Sequence, residues 1–196
     1  MPSPAIPITG DLEADLLLER EPLALLIGML LGQQVQMEWA FKGPSTLRDR
    51  LGGELDATKI AAMDQEEFVA ICCAKPAIHR FPAVMGRRIH ELCIVVTGRY
   101  DGDASKVWKR VRSAQVLHDR LRELPGYGEE KTKIFMAILA KRFDRRPEGW
   151  ETVAAPFSDH HPRSVADVHS DESLQQVRAW KQQMRAERKS EQDQPV

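Results

Sequence analysis

No stretch of the 196-residue chain reaches the roughly 18 consecutive apolar residues that a membrane-spanning helix requires. The opening MPSPAIPITGDLEADLLL places no basic residues ahead of an apolar run, so it does not read as a secretory signal, and the cytoplasm is the expected compartment. Cysteine is scarce: Cys72, Cys73 and Cys93 are all there is. An odd count with an adjacent pair does not make a disulfide framework, and it is too few thiolates for an iron–sulfur cluster. Core packing is their expected role. His160, His161 and His169 lie close together but lack cysteines or carboxylates at zinc-ligand spacing, so no metal and no cofactor are expected. There is no internal repeat. The one β-branched cluster, Ile94-Val95-Val96, sits in a helical context, so no strand is expected. A net charge of −1 excludes a uniformly basic surface.

What is present is a helical pattern along almost the whole chain. After a Pro-rich lead-in over 1–10, Asp11 is placed to cap a helix over 12–19. Pro22 opens a segment that is apolar nearly all round, as a helix central to a bundle is. Gly32 breaks it or lets a neighbour pack closely. Gly43-Pro44 ends it, and Ser45 caps 46–51. Asp56 and Asp64 precede short helices over 57–62 and 65–73. A helix is expected over about 83–99, a basic amphipathic stretch over 104–112, a short helix near Trp150–Ala155, and a last helix from Ser170 to about Lys189. The expectation is an all-α protein of about ten short helices forming a single domain over 1–190, with a disordered tail over 191–196.

The most informative segment is LRELPGYGEEKTKIFMAILAKRF, residues 121–143. Leu117, Leu121 and Leu124 share a helical face, and Pro125 stops that helix because it lacks the N–H needed to continue. Gly126 and Gly128 flank Tyr127 and let the chain turn sharply. A second helix follows, with small Thr132 where the two must approach. Helix, Gly-x-Gly hairpin, helix presents backbone amides at a helix N-terminus, a way to hold one phosphate. That suits DNA gripped by its backbone. Lys131 and Lys133 add positive charge, while Glu129 and Glu130 suit the helix dipole but would repel a phosphate they faced. Acid gathers early (Asp11, Glu13, Asp15, Glu19, Glu21). Base gathers later, in Lys106–Arg112, Lys131–Arg146 and Arg178–Lys189, the half that holds the hairpin.

Three blocks together resemble the helix-hairpin-helix (HhH-GPD) base excision repair DNA glycosylases, the superfamily of endonuclease III, MutY and AlkA. They are Pro22–Ile27 through Leu31-Gly32-Gln33-Gln34-Val35, His79-Arg80-Phe81-Pro82 into Met85–Ile89, and Leu124–Thr132. Their order and spacing agree over about residues 20–145. The resemblance implies a two-lobed helical bundle without an iron–sulfur cluster. It implies a monomer acting in the cytoplasm, at the nucleoid, on duplex DNA containing a damaged base, with no membrane partner. The target base must leave the stack to be reached. Gln33 or Gln34 would fill the space it vacates. Phe81, beside Arg80, would wedge the opposite strand. Gly126, Tyr127, Gly128, Lys131 and Lys133 would hold the backbone. Tyr127 or one of the four tryptophans, Trp39 foremost, would stack on the flipped base.

The chain departs from the family's pattern in two places. Family members with lyase activity carry a lysine two residues past the second hairpin glycine. Glu130 stands there, and Lys131 comes one helical step later, about 100° round. A Schiff base needs an amine beside the sugar, so the expected activity is monofunctional. The family's catalytic aspartate would fall in the register of Glu148-Gly149-Trp150-Glu151. Glu148 or Glu151 would have to serve, or else Asp167, whose Val165-Ala166-Asp167-Val168 turn looks more like the usual one but comes later. Asp159 is a further, weaker candidate. Such a carboxylate stabilises the positive charge developing on the sugar or activates water. The other role open to Asp167 is a helix cap, and a non-catalytic binder of damaged or abasic DNA is the other function this pattern fits.

Overall fold

The computed structural model describes residues 4–192. Among them are ten α-helices: α1 (Leu12–Arg20), α2 (Pro22–Leu31), α3 (Met37–Arg50), α4 (Ala57–Ala62), α5 (Gln65–Cys73), α6 (Pro82–Tyr100), α7 (Ala114–Arg122), α8 (Glu129–Arg142), α9 (Trp150–Val153) and α10 (Asp171–Gln192). Single 3-10 turns at Ala104–Val107 and Val165–Asp167 complete the described secondary structure, with no strand among these residues. The all-α expectation holds. Helix α10 runs on into the expected tail, and residues 193–196 lie outside the described residues.

Local chemistry sets many of the boundaries. Asp11, Asp56 and Asp64 each accept two N–H bonds from the first turn of the helix they precede. Helix α2 forms the centre. Its residues from Leu23 to Leu31 are all buried, each large side chain contributing about 1.5–3 kcal/mol by leaving water. It packs against α1, α3, α6 and α8, while α4 and α5 pack on α6. The close approach of α2 and α3 depends on two glycines. A Cβ on Gly28 would lie 2.8 Å from the Phe41 ring, and one on Gly43 would lie 2.4 Å from a Leu31 methyl.

The expected stop at Gly43-Pro44 is corrected: α3 runs straight through it. Pro44 forfeits one helical hydrogen bond, but Gly43, Pro44 and Ser45 are buried against the core, and that packing outweighs the local preference. Gly32, in turn, ends α2 as its C-cap. Cys72 and Cys93 are buried and Cys73 half-buried, all unpaired. Burial pushes the Cys72 thiol up to about 12, which makes it an inert packing group.

Candidate nucleic-acid interface

The hairpin between α7 and α8 forms as its glycines predict. Gly126 takes φ +79°, and a Cβ there would touch Leu30 at 3.4 Å. Gly128 is the N-cap of α8, and no side chain caps the helix. The N–H groups of Glu129, Glu130 and Lys131 therefore point from the helix start without intrahelical partners. Glu129 does not oppose a phosphate here. Its carboxylate turns aside to His118 Nε2 at 3.0 Å, Lys133 Nζ at 3.4 Å and Arg122 Nε at 3.6 Å. The bond from His118 is the main reason its pKa lies below the usual carboxylate value.

Two hairpin residues have different tasks from those expected. Tyr127 is buried, and its hydroxyl donates to Leu26 O at 2.8 Å. Its N–H is engaged by Leu124 O. Its ring stacks on no base; it pins the hairpin to α2. Lys131 donates to Leu30 O at 2.7 Å, at the end of α2. Burial, aided by the nearby Arg88, lowers its pKa to about 8. It is a tie between α8 and α2 and offers no free amine. Thr132 is buried where the helices meet, as its size predicts.

The Gln33–Gln34 loop lies next to this tie. Gln33 Oε1 accepts from Arg88 Nη1 at 2.9 Å. Gln34 is exposed, with φ +58°, a left-handed conformation that costs a non-glycine residue about 1–2 kcal/mol. Phe81 stands 43% exposed at the start of α6, with the Arg80 guanidinium 5.4 Å from its ring centroid. Trp39, also 43% exposed, stacks on His79 and donates Nε1–H to Ala77 O at 3.3 Å. The contacts Gly126–Leu30–Lys131, Arg88–Gln33 and His79–Gln33 join hairpin, glutamine loop and Phe81 into one continuous face.

A cleft of about 640 Å³ opens beside the start of α8. Glu130, Lys133, Phe157, Arg163, Trp180 and Lys181 are among its walls, and Trp39 is not. The aromatic side chains that line this cleft are Trp180 and Phe157, with the Arg163 guanidinium 5.0 Å from the Trp180 ring centroid. Burial lowers the Lys181 pKa, against the opposing pull of Glu130 and Glu38. Glu130 itself has no cation within ion-pair distance. Arg178 and Lys181, the latter 3.1 Å from Met37 Sδ, bring α10 against the start of α3. Trp180 is one of the four candidate tryptophans and Lys181 belongs to the Arg178–Lys189 basic run, but nothing near the hairpin in sequence singles them out. The Leu174, Val177, Trp180, Met184 stripe of α10 is a further signal.

The carboxylates expected to act on the sugar are not among the residues lining this cleft. Asp167 Oδ1 bonds Lys141 Nζ at 2.6 Å, and its Oδ2 accepts the N–H groups of Arg163 and Ser164 at 3.0 Å each. It completes a capping box with Ser164 on the 3-10 turn. From Lys131 to Lys141 is ~15 Å along α8 at ~1.5 Å per residue. Asp167 and Glu151 share a separate hollow of about 470 Å³ with Lys141, Trp150 and Asp159. Glu148 is exposed, its backbone bonded to Arg112 and Ala114. Asp159 pairs with Arg163 at 2.8 Å. None of the four joins the hairpin face. Among the described residues, no group of three His, Cys, Asp or Glu side chains is close enough to hold a metal ion.

A family model of the HhH-GPD superfamily of base excision DNA repair proteins matches residues 27–194. The chain belongs to that superfamily. No curated protein and no solved structure matches it. Membership accords with the helical fold and with DNA as a partner.

Proposed function

We propose that this HhH-GPD protein is a monofunctional DNA glycosylase, acting as a monomer on duplex DNA at a damaged base in the cytoplasm, at the nucleoid. The observation that carries the reading is the continuity of one face: the open amides of the hairpin, the strained Gln34 and the exposed Phe81, joined through Leu30, Arg88 and His79. The hairpin takes a phosphate. Gln34 enters the vacated stack, with Gln33 held behind it by Arg88. Phe81 wedges the opposite strand. The flipped base moves toward the cleft that Trp180 and Phe157 line. Glu130 is a wall carboxylate with no cation within ion-pair distance among the described residues, and it stabilises the positive charge that develops on the sugar as the N-glycosidic bond breaks. Water adds its oxygen to the sugar C1′ as the C1′–N bond breaks, and its proton leaves with the departing base. The bond from Lys131 to Leu30 O supports hydrolysis without lyase chemistry, since it keeps that amine from a Schiff base.

Two abasic analogues test this without knowledge of the lesion. A duplex with a cationic pyrrolidine in place of the sugar mimics the charged transition state, and one with neutral tetrahydrofuran does not. Wild type should prefer the pyrrolidine duplex, and Glu130→Gln should erase the preference. Duplexes carrying uracil, hypoxanthine, 8-oxoguanine or an alkylated purine should show base release with strand breakage only after alkali. The spent state of Asp167 favours a second reading, a binder of damaged DNA without chemistry. Equal affinity for both analogues with no base release would establish it. No binding to either at low salt would sink both.

A further inference from the structure

His79 is 1% exposed, yet it lies between two exposed elements. Its Nε2–H donates to Gln33 O at 2.9 Å, a partner 46 residues away. Its Nδ1 accepts the N–H of Phe81 at 2.9 Å. One tautomer, Nδ1 bare and Nε2 protonated, satisfies both. The ring also stacks on Trp39 at 6.3 Å and meets Phe81 at 6.1 Å. Among the described residues, no other side chain is hydrogen-bonded to both the glutamine loop and Phe81. Resting on the reading above, we propose that His79 is the positioning residue that couples them, so that Gln34 and Phe81 enter a duplex as one rigid unit. Entry of either group alone would leave a half-opened base pair, and separate loops would each lose freedom on binding.

The charges that act on this ring come from Lys131 on α8 and Arg88 on α6, both cationic. Trp39 on α3 and the glutamine loop present neutral groups. Burial, then these two cations, hold the His79 pKa below the ordinary imidazole value of 6.5, against the opposing bond to Gln33. The neutral form is therefore the working form. Protonation removes the lone pair that Phe81 N–H needs, so coupling is present at neutral pH and fades as pH falls through that lowered pKa.

Fluorescence of 2-aminopurine opposite a tetrahydrofuran site reports opening, and anisotropy on an undamaged duplex reports grip. His79→Ala should reduce the opening equilibrium about tenfold, the worth of one buried hydrogen bond, with grip unchanged. His79→Asn keeps an acceptor for Phe81 and His79→Gln keeps a donor for Gln33. Each retains one tie, and neither should restore opening. Wild-type opening should fall on acidification, and this dependence should vanish in His79→Asn. If His79→Ala does not fold, the two amide variants and the wild-type pH profile decide. Wild-type opening in either amide variant, or a flat wild-type profile, would overturn the coupling while leaving the glycosylase reading standing. No opening by wild type at any pH would defeat both.

Discussion

The hairpin face and the hollow around Asp167 use similar residue types to opposite ends. Around Asp167 nearly every polar atom is spent. The carboxylate takes Lys141 on one oxygen and two backbone N–H groups on the other, and only 11% of its side chain meets solvent. At the hairpin face, among the described residues, Glu130 has no cation within ion-pair distance, the first amides of α8 are open, and Gln34 sits in a costly conformation without a hydrogen-bond partner. Saturation marks a group that holds the fold. Open valence and local strain mark a group kept for something absent from the free protein. A carboxylate that resembles a catalytic one by its neighbours in sequence can still be a structural clamp.

Breaking the clamp should produce the largest effect. Asp167→Ala leaves the mostly buried Lys141 ammonium without its partner, and the N–H groups of Arg163 and Ser164 without acceptors. A loss of about 3 kcal/mol is expected in urea denaturation, since removing one member of a buried pair strands the other. DNA binding per folded molecule should be unchanged. Lost binding at full stability would reverse the contrast between the two regions.

A smaller effect should come from Lys131, the buried cation tied to Leu30 on the open face. Burial lowers its pKa from 10.5 to about 8, so the folded chain holds fewer protons than the unfolded chain between those values. The sign follows: the fold is stabilised as pH rises through 8 and loses that contribution as pH falls. Stability should rise by about 1 kcal/mol between ~pH 7 and ~pH 9. In Lys131→Met that rise should be missing. An equal rise in the variant would mean that Lys131 is solvated and free, and would reopen lyase chemistry.

What the sequence made legible was local. Asp11, Asp56 and Asp64 announce their helices because a cap acts on N–H groups two and three residues away. Gly126 announces the hairpin because the turn needs its own left-handed φ of +79°, another local requirement. Pro44 misled because burial of Gly43 against Leu31 is a tertiary effect that no local pattern carries. At the site the same division holds. The hairpin, the glutamine pair and Phe81 could be read as motifs, but their joining could not. It depends on His79 reaching Gln33, Arg88 reaching Gln33 across 55 residues, and Lys131 reaching Leu30 across 101. Asp167 looked available for want of one fact, that Lys141 sits 2.6 Å away.

The mildest change in stability should come from the group most exposed on the open face. Phe81→Ala removes a ring that is 43% in water and a surface contact with Arg80, so stability should stay within about 0.5 kcal/mol of wild type. Its backbone N–H still reaches His79, and the loop should hold its place. Grip on an undamaged duplex, set by the hairpin amides and the basic side chains, should persist with an unchanged salt slope. Only opening should suffer, read by 2-aminopurine fluorescence. A stability loss above about 2 kcal/mol would instead make Phe81 a core residue like Phe41, and the open face would shrink to Gln34 and the hairpin.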